Sequence, residues 1–538
     1  MSLLFTSVTS PEADPAYEEP TTETRVLLKG WKSGSETGAF ATDTIWDKDV
    51  QMPLRDGIKI RVDVFRPKLS DTEPVPALIA WSPYGKAACR TGGFDPIATI
   101  PGRMGVPKDR LSGFQKFEAP DPAEWTARGY AIVNPDPRGA DSNSYFGEQE
   151  ARDGYDIVEY VASLPWCSGS VGMVGNSWLA MAQWSIAAEK PPHLKCIAPL
   201  EGASDLYREV LCRGGIPMGA FIALIARDLP IFRIRRNGLL RVHATQEWHD
   251  LYQNSTNDEL QRFFDYHMKD VSNGWEQTPQ VRVSILRYDK DSIVNHPFPT
   301  WPIPNTMEQT LYLDKENQLG ASPASDPGVL TYQSDVPSLQ MDNDTEELVF
   351  THTFEKPCTL VGSARSVLFM SFDESEDMDV YVQLRKADQG GRILQYVNVP
   401  LKDLQLADST TTAVELINPL IYLGPSGCLR ASFHAIDERL STSSFPEHDY
   451  TKRNWVKAGE IVKLEIGLWQ TGIHFEAGTK LILKIAGHPM TLAEFPPLRG
   501  VLPISNKGKH RVHVGGSNPS HLVIPTVDID PEALVLTS

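Results

Sequence analysis

Cysteine is scarce in this sequence, and its spacing argues against two common kinds of site. The six cysteines among 538 residues are scattered, and no two of them form a C-x-x-C pair. A disulfide framework and a structural zinc site are therefore both unexpected. Reduced thiols in a cytoplasmic protein are the default prediction.

Long apolar runs and an excess of basic charge are also absent. No run of 18 apolar residues occurs, so the sequence predicts no membrane-spanning helix. The first residues lack a basic segment ahead of a brief apolar run, which does not favour a signal peptide. Lys and Arg number 51 against 69 Asp and Glu, a net charge of −18. This balance argues against nucleic acid or an anionic membrane surface as a partner.

What the chain does contain is enough length for two or three domains. Residues 1–44 are polar and rich in Pro, Glu and Thr, and we interpret them as a flexible segment. The next part, residues 45–275, alternates buried strands with helical spacing, which predicts an α/β fold with a parallel sheet. The predicted elements are the hairpin Val50–Pro67, the strands Pro76–Trp81, Tyr130–Val133, Val171–Val174 and Leu194–Leu200, and the helix Asp153–Leu164.

The remaining residues, 276–538, have a different pattern. Short alternating strands separated by turn signals follow one another with almost no helical periodicity, which predicts an all-β jelly roll. The boundary falls within Asn273–Pro304. The clearest strands are Thr310–Asp314, Asp379–Leu384, Ile461–Leu468 and Lys480–Ile485.

One stretch, V-G-M-V-G-N-S-W-L-A-M-A from Val171 to Ala182, has the layout of a nucleophile elbow. A short apolar strand meets Gly175, Ser177 follows, and a run of helix formers begins behind it. The helix N-terminus supplies N–H groups beside the serine. Leu179 stands where the usual G-x-S-x-G pattern has its second glycine. Tyr84, Asp136 and Glu201 also follow predicted strands directly, so they are expected at the same sheet edge as Ser177.

Several motifs together resemble the CocE/NonD hydrolases, the cocaine-esterase-like group related to the X-Pro dipeptidyl-peptidases, and in particular their fungal branch. The most specific is the block Asp153–Leu179, which resembles the family pattern nearly throughout. The others are M-P-L-R-D-G-I-K-I (Met52–Ile60), S-P-Y-G-K (Ser82–Lys86), D-P-R-G (Asp136–Gly139), W-E-Q-T-P-Q-V-R-V (Trp275–Val283), G-C-L-R-A-S (Gly427–Ser432) and F-E-A-G-T-K-L (Phe475–Leu481).

The resemblance implies an α/β-hydrolase core, an inserted helical cap and a C-terminal jelly roll. It also implies serine acyl-transfer chemistry without a metal or cofactor. Ser177 would be the nucleophile, and the Tyr84 hydroxyl and the backbone N–H of Trp178 would hold the oxyanion.

The cap is much shorter than the resemblance implies, covering residues 206–236 at most. It is expected to hold a helix through Phe221–Asp228, and Pro230–Arg236 would serve as a replacement for the missing strand. Most of it, and the strand that carries the triad acid, are missing through a true reduction or a misjoined gene model. All 13 histidines follow Ser177. His243 directly follows an apolar run and is the candidate base, with His249 as the alternative. Glu201 and Asp205 follow the strand after the elbow, and Asp205 is the candidate acid.

These features predict a serine hydrolase or acyltransferase that acts on an ester or amide of a small organic molecule. A role in secondary metabolism would follow from the fungal resemblance. Two alternatives stay open: a catalytically degenerate relative that binds a ligand or partner, and an X-Pro dipeptidyl-peptidase, for which the sequence offers no identifiable acidic anchor for the substrate amine. A homodimer is compatible with the sequence.

Overall fold

The computed structural model describes residues 19–86, 101–138, 147–217, 240–374, 377–406, 410–494, 496, 499–502 and 504–529. Three predictions lie outside these residues: the flexible segment over residues 1–18, the cap helix Phe221–Asp228, and a strand over Pro230–Arg236 in place of the missing one. The described part of the predicted cap consists of a single π-helical turn, Tyr207–Leu211, followed by a hairpin of β8 (Cys212–Arg213) and β9 (Ile216–Pro217).

The N-terminal half is built on a seven-stranded sheet in the order β1-β2-β3-β5-β4-β6-β7. The first three strands and β5 pair antiparallel, and β5, β4, β6 and β7 are parallel. The strands are β1 (Glu23–Leu27), β2 (Thr44–Pro53), β3 (Lys59–Pro67), β4 (Val75–Ile79), β5 (Ala131–Pro135), β6 (Cys167–Asn176) and β7 (Leu194–Leu200).

In the part of this half that the structure describes, five α-helices accompany the sheet. One face is covered by α2 and α3, whose Ile157, Val161 and Ile186 join the buried cluster of β4 and β6. The other face is covered by α1 and α5 through Trp125 and Phe264. The helices are α1 (Pro122–Ala127), α2 (Glu148–Ala162), α3 (Trp178–Ala188), α4 (Glu247–Leu251) and α5 (Asn254–Lys269).

The C-terminal half is a two-sheet β-sandwich. One sheet has nine strands, including the path β14-β13-β27-β18-β26-β15 and the strands β17, β23 and β24. The other has the order β16-β25-β19-β22. A large buried cluster lies between the sheets. The strands of these two sheets are β13 (Met307–Leu313), β14 (Leu319–Gly320), β15 (Gly328–Gln333), β16 (Leu348–Thr353), β17 (Cys358–Gly362), β18 (Arg365–Phe372), β19 (Asp379–Ala387), β22 (Ser426–Arg430), β23 (Val462–Gly467), β24 (Thr471–Phe475), β25 (Lys480–Ala486), β26 (Lys509–Val514) and β27 (His521–Val527). Two further strands, β20 (Tyr396–Val397) and β21 (Ile421–Tyr422), pair with each other in a separate sheet.

A third, small sheet joins the two halves. It consists of β10 (Leu240–Val242), β11 (Val281–Ile285) and β12 (Ile293–Phe298), with β10 parallel to β11. The strand β10 lies within residues 45–275, the predicted core, yet it pairs with β11, which lies beyond residue 275. Likewise β1 lies inside the first 44 residues and extends the core sheet. Both differences arise because strand pairing is a long-range contact that local composition does not encode.

Within the described residues, no helix has the length and apolarity that a membrane span requires. The five cysteines that the structure describes are free thiols.

Candidate active site

Ser177 occupies a sharp turn between β6 and α3. Its backbone has φ 54° and ψ −113°, a strained conformation for a residue with a side chain. The turn is held by the Ser177 N–H, which donates to the carbonyl of Leu200 at the end of β7 over 2.9 Å. Gly175 has φ 153°, and a Cβ there would lie 2.5 Å from the Cβ of Leu179. The glycine is therefore needed because Leu179 packs against it.

Tyr84 follows β4 and lies near this turn through a shared neighbour, Glu118. The Tyr84 hydroxyl donates to Oε2 of Glu118 over 3.2 Å. The carbonyl of Glu118 accepts from the N–H of Asn176, the residue before the serine, over 3.0 Å. Trp178 opens α3 and its side chain is buried in the core, so its backbone is the part at the elbow. Of the two predicted oxyanion donors, Trp178 therefore directly follows the serine, and Tyr84 is linked through Glu118 to the residue before it.

His243 follows β10 and contacts the carboxylate of Glu201, which follows β7. Nε2 of the histidine bonds Oε1 of Glu201, while the buried Nδ1 has no hydrogen-bond partner among the described residues. Burial by itself lowers the pKa of His243, but the hydrogen bond and charge of Glu201 outweigh it and raise the pKa to about 9. Across the described chain, no hydrogen bond joins His243 to Ser177.

The structure gives the other two candidates different partners. Asp205 accepts from the backbone N–H of Arg208 over 3.1 Å and pairs with its guanidinium over 2.7 Å. It therefore stabilises the turn that follows β7, and the carboxylate beside His243 belongs to Glu201. The alternative base, His249, is buried and bonds Asp403 of the sandwich over 3.1 Å. Burial lowers the pKa of His249, although Asp403 opposes this.

The residue that the sequence analysis missed is Glu118. It is buried, with 4% of its surface exposed, and has φ 65°. Burial raises the pKa of Glu118 to about 8, against the opposing hydrogen bonds from Trp248 and Tyr84. Burial and the charge of Glu201 likewise raise the pKa of Glu247 to about 8. The only signal in the sequence is a lone glutamate within the apolar stretch F-E-A-P that precedes α1.

A buried charge cluster lies beneath Tyr84 and Glu118. Lys116 is fully buried, and its ammonium donates to the carbonyl of Pro135 at the end of β5 over 2.6 Å. Burial lowers the pKa of Lys116 to about 7, against the charges of Asp136 and Asp63. Lys86 pairs with Asp63 over 3.1 Å, and its backbone N–H donates to Asp136. These contacts fix the loop that carries Tyr84 to the ends of the central strands.

A cavity of about 1250 Å³ separates β7 from β10. The edge of β7 forms one wall, and β10 together with Phe263 and Tyr266 of α5 forms the other. Glu201, His243 and Glu247 line it, so the cavity reaches the contact between Glu201 and His243. Among the described residues, β7 is the last strand of its sheet and β10 pairs only with β11. The cavity thus lies where the resemblance would have an additional strand.

Comparison with known proteins agrees with the two halves of the fold. Residues 56–262 match the family described as X-Pro dipeptidyl-peptidase (S15 family). Residues 273–523 match the X-Pro dipeptidyl-peptidase C-terminal non-catalytic domain. Among solved structures, a CocE/NonD family hydrolase from Staphylococcus aureus superposes with a TM-score of 0.76 at 25% identity, covering 98% of this chain and 100% of that one. An α-amino acid ester hydrolase, at 14% identity, shares the fold with a TM-score of 0.60, covering 96% of this chain and 100% of that one.

Two curated proteins are similar over a shorter stretch. Cocaine esterase of Rhodococcus sp. (strain MB1 Bresler) is 32% identical over 165 residues, which is 30% of this chain and 24% of the esterase. A putative serine esterase of Mycobacterium bovis is 28% identical over 171 residues, 30% of this chain and 26% of that protein. The matched stretch thus spans about a quarter of the length of these relatives.

The core, the elbow and the C-terminal sandwich define a protein of the α/β-hydrolase fold with an appended all-β domain. Within that class, the chain belongs to the CocE/NonD, X-Pro dipeptidyl-peptidase-like family of serine hydrolases.

Proposed function

We propose that the protein is a serine hydrolase or acyltransferase that acts on an ester or amide of a small organic molecule, with Ser177 as its nucleophile. The observation that carries the proposal is the strained turn of Ser177, with φ 54°, between β6 and the N-terminus of α3. Such strain is retained where a serine must present its hydroxyl to a substrate.

The proposed reaction begins when the Ser177 oxygen attacks the acyl carbon. The proton of the hydroxyl passes to His243, and Nδ1 is the nitrogen left to accept it because Nε2 is bonded to Glu201. The N–H of Trp178 and the hydroxyl of Tyr84 hold the oxyanion. The imidazolium then protonates the leaving alcohol or amine. Water or a second alcohol repeats the sequence on the acyl-enzyme and releases the product.

The test is labelling of the full chain by a fluorophosphonate probe, which reacts with activated serines. We expect the parent to be labelled and Ser177→Ala to be unlabelled while keeping its circular dichroism and melting temperature. Ser168→Ala is the matched control, because Ser168 is exposed on the same strand, β6. Labelling of Ser177→Ala at the parent's rate would refute the proposal. A folded parent without labelling would favour the degenerate, ligand-binding alternative.

The X-Pro dipeptidyl-peptidase alternative needs an ionised carboxylate for the free amine of the substrate. Three carboxyl groups, those of Glu118, Glu201 and Glu247, lie around the elbow. The raised pKa values of Glu118 and Glu247, about 8 each, keep these two largely neutral at pH 7, and Glu201 is engaged by His243. An uncharged ester or amide therefore fits this site better.

Comparing hydrolysis of a p-nitrophenyl ester with that of an X-Pro p-nitroanilide separates these alternatives, and we expect only the ester to be turned over. The role in fungal secondary metabolism stays a prediction, since the relatives compared are bacterial.

A further inference from the structure

Glu118 links the two parts of the proposed oxyanion hole. Its carboxyl group is bonded by the hydroxyl of Tyr84 over 3.2 Å and by the indole N–H of Trp248 over 3.3 Å. Its backbone carbonyl bonds the N–H of Asn176, next to the nucleophile, over 3.0 Å. One residue therefore contacts both the tyrosine and the elbow.

The backbone of Glu118 is held from both sides. Two residues earlier, Lys116 is anchored to the carbonyl of Pro135. One residue later, the carbonyl of Ala119 accepts from the hydroxyl of Tyr252 over 3.1 Å. The carboxyl group is thus presented to Tyr84 by a fixed segment.

We propose that Glu118 is a positioning residue that acts as a neutral carboxylic acid: it donates its proton in a hydrogen bond to the Tyr84 oxygen and so turns the Tyr84 O–H toward the oxyanion. This inference rests on the proposed function of Ser177. No proton is transferred and no bond breaks, because only the direction of the hydrogen bond between Glu118 and Tyr84 changes.

The ionised state of Glu118 has the opposite effect. A carboxylate only accepts hydrogen bonds, so it would take the Tyr84 hydrogen as its own partner. That hydrogen would then be withdrawn from the oxyanion in the transition state, and one oxyanion donor is worth roughly a hundredfold to a thousandfold in rate. The protonation state of Glu118 therefore decides whether Tyr84 takes part.

The surroundings of Glu118 favour the neutral acid. The groups that face it are Tyr84 from the loop after β4, Trp248 from α4, the side chain of Asn176 at the end of β6, and the carboxyl groups of Glu201 after β7 and Glu247 in α4. The hydrogen bonds from Tyr84, Trp248 and Asn176 lower the pKa of Glu118, and burial outweighs them. His243 lies beyond, against Glu201 and Glu247. Burial is the main reason that the pKa of Glu118 rises to about 8, and Glu201 adds to it. The acid is thus mostly neutral at pH 7.

The experiment measures the second-order rate constant of fluorophosphonate labelling from pH 6 to 10 in the full chain. The rate constant of the parent should rise with pH as His243 loses its proton, and it should fall again as Glu118 ionises. In Glu118→Gln the amide N–H₂ donates to Tyr84 at every pH, so the alkaline fall should disappear. Glu118→Ala should label at least about tenfold more slowly than Glu118→Gln at pH 7. In the Tyr84→Phe background, these Glu118 variants should no longer differ.

An alkaline fall of equal size in the parent and Glu118→Gln would overturn the inference, as would undiminished effects of Glu118 variants in Tyr84→Phe. If Glu118→Ala fails to fold, the pH profile of Glu118→Gln decides alone. Absence of labelling in the parent at every pH would instead contradict the proposed role of Ser177 as nucleophile. This outcome distinguishes failure of the proposed function from failure of the inference about Glu118.

Discussion

Glu201 and His243 form a contact that sets when the proposed base is free to act. The contact raises the pKa of His243 to about 9, so the neutral imidazole becomes abundant only as the pH approaches that value. A general base has to be unprotonated in the free enzyme. The same contact that orients the imidazole ring therefore also keeps it mostly protonated, and so unable to act as a base, at neutral pH.

Replacing Glu201 by Gln should remove this restriction. Burial is then the largest remaining influence and lowers the pKa of His243, with the charge of Asp250 opposing it and that of Arg241 adding to it. The rising limb of the labelling rate should move down by more than about one pH unit. Glu276→Gln is the control, since Glu276 is exposed and lines the same cavity. An unmoved rising limb would show that His243 is not the group that titrates.

Glu118 should also affect stability, with a definite sign. Its pKa is raised from 4.5 to about 8 in the folded protein, so its favourable contribution is complete below pH 4.5 and is lost as the pH rises toward 8. We expect the urea-unfolding free energy of Glu118→Gln to fall less than that of the parent between pH 5 and 8. If the unfolding free energies of the parent and Glu118→Gln fall in parallel with pH, the raised pKa of Glu118 would be contradicted. Because the pKa of Glu247 is also raised to about 8, the unfolding free energy of both proteins should still fall somewhat over this pH range.

At the scale of elements, the elbow depends on the packing of α3 against β6. Gly175 is the critical position, because a Cβ there would meet Leu179 at 2.5 Å and the backbone has φ 153°. Gly175→Ala should therefore cost more than about 2 kcal/mol of unfolding free energy, by combining strain with overpacking. Gly57→Ala is the matched control, with φ 86° and nothing within 4 Å, and should cost only the strain. If chemical denaturation shows that both variants lose the same unfolding free energy, the clash with Leu179 would be contradicted.

The central elements could be predicted from the sequence because their signals are local. The run Leu194–Leu200 is a strand with the bounds expected, and the predicted helix Asp153–Leu164 lies largely within α2. Fully buried strands such as β4 and β5 leave continuous apolar runs that need no partner to be recognised.

The pairings within the site could not be predicted in the same way. Glu118 gains its role from Tyr84 and Trp248, which lie 34 and 130 residues away in the sequence. The choice between Glu201 and Asp205 depended on where β10 delivers His243, and β10 pairs with a strand about 40 residues later. The order of strands predicted that Tyr84, Ser177 and Glu201 lie at one sheet edge, but it did not assign their partners.

At the scale of the whole molecule, the core and the sandwich share a hydrophobic cluster. Phe117 and Trp248 of the core pack with Ile417 and Leu420 of the sandwich in this cluster. The backbone of Gln246 also bonds the carbonyl of Asn398 over 2.8 Å. The residue that bonds Glu118, Trp248, therefore rests on the C-terminal half.

Ile417→Ala should destabilise both halves together. Ile417 is fully buried in the shared cluster, so its truncation should cost about 2–5 kcal/mol and lower the temperature at which labelling of Ser177 is lost. Ile461→Ala carries the same truncation at a side chain that is 42% exposed and should have little effect. Loss of labelling at the parent's temperature in Ile417→Ala would show that the core stands independently of this cluster.

The contact between Glu201 and His243 spans the mouth of the cavity between β7 and β10. Ser177 belongs to the core sheet, while β10 belongs to a sheet whose β11 continues into a bridge between Leu286 and Ile473 of the sandwich. The proposed nucleophile and the proposed base thus follow strands of different sheets, although α5 packs on the core sheet as well. Turnover would consequently report how precisely these two sheets are held relative to each other, so a small change in their packing should lower the activity before it lowers the helix or strand content.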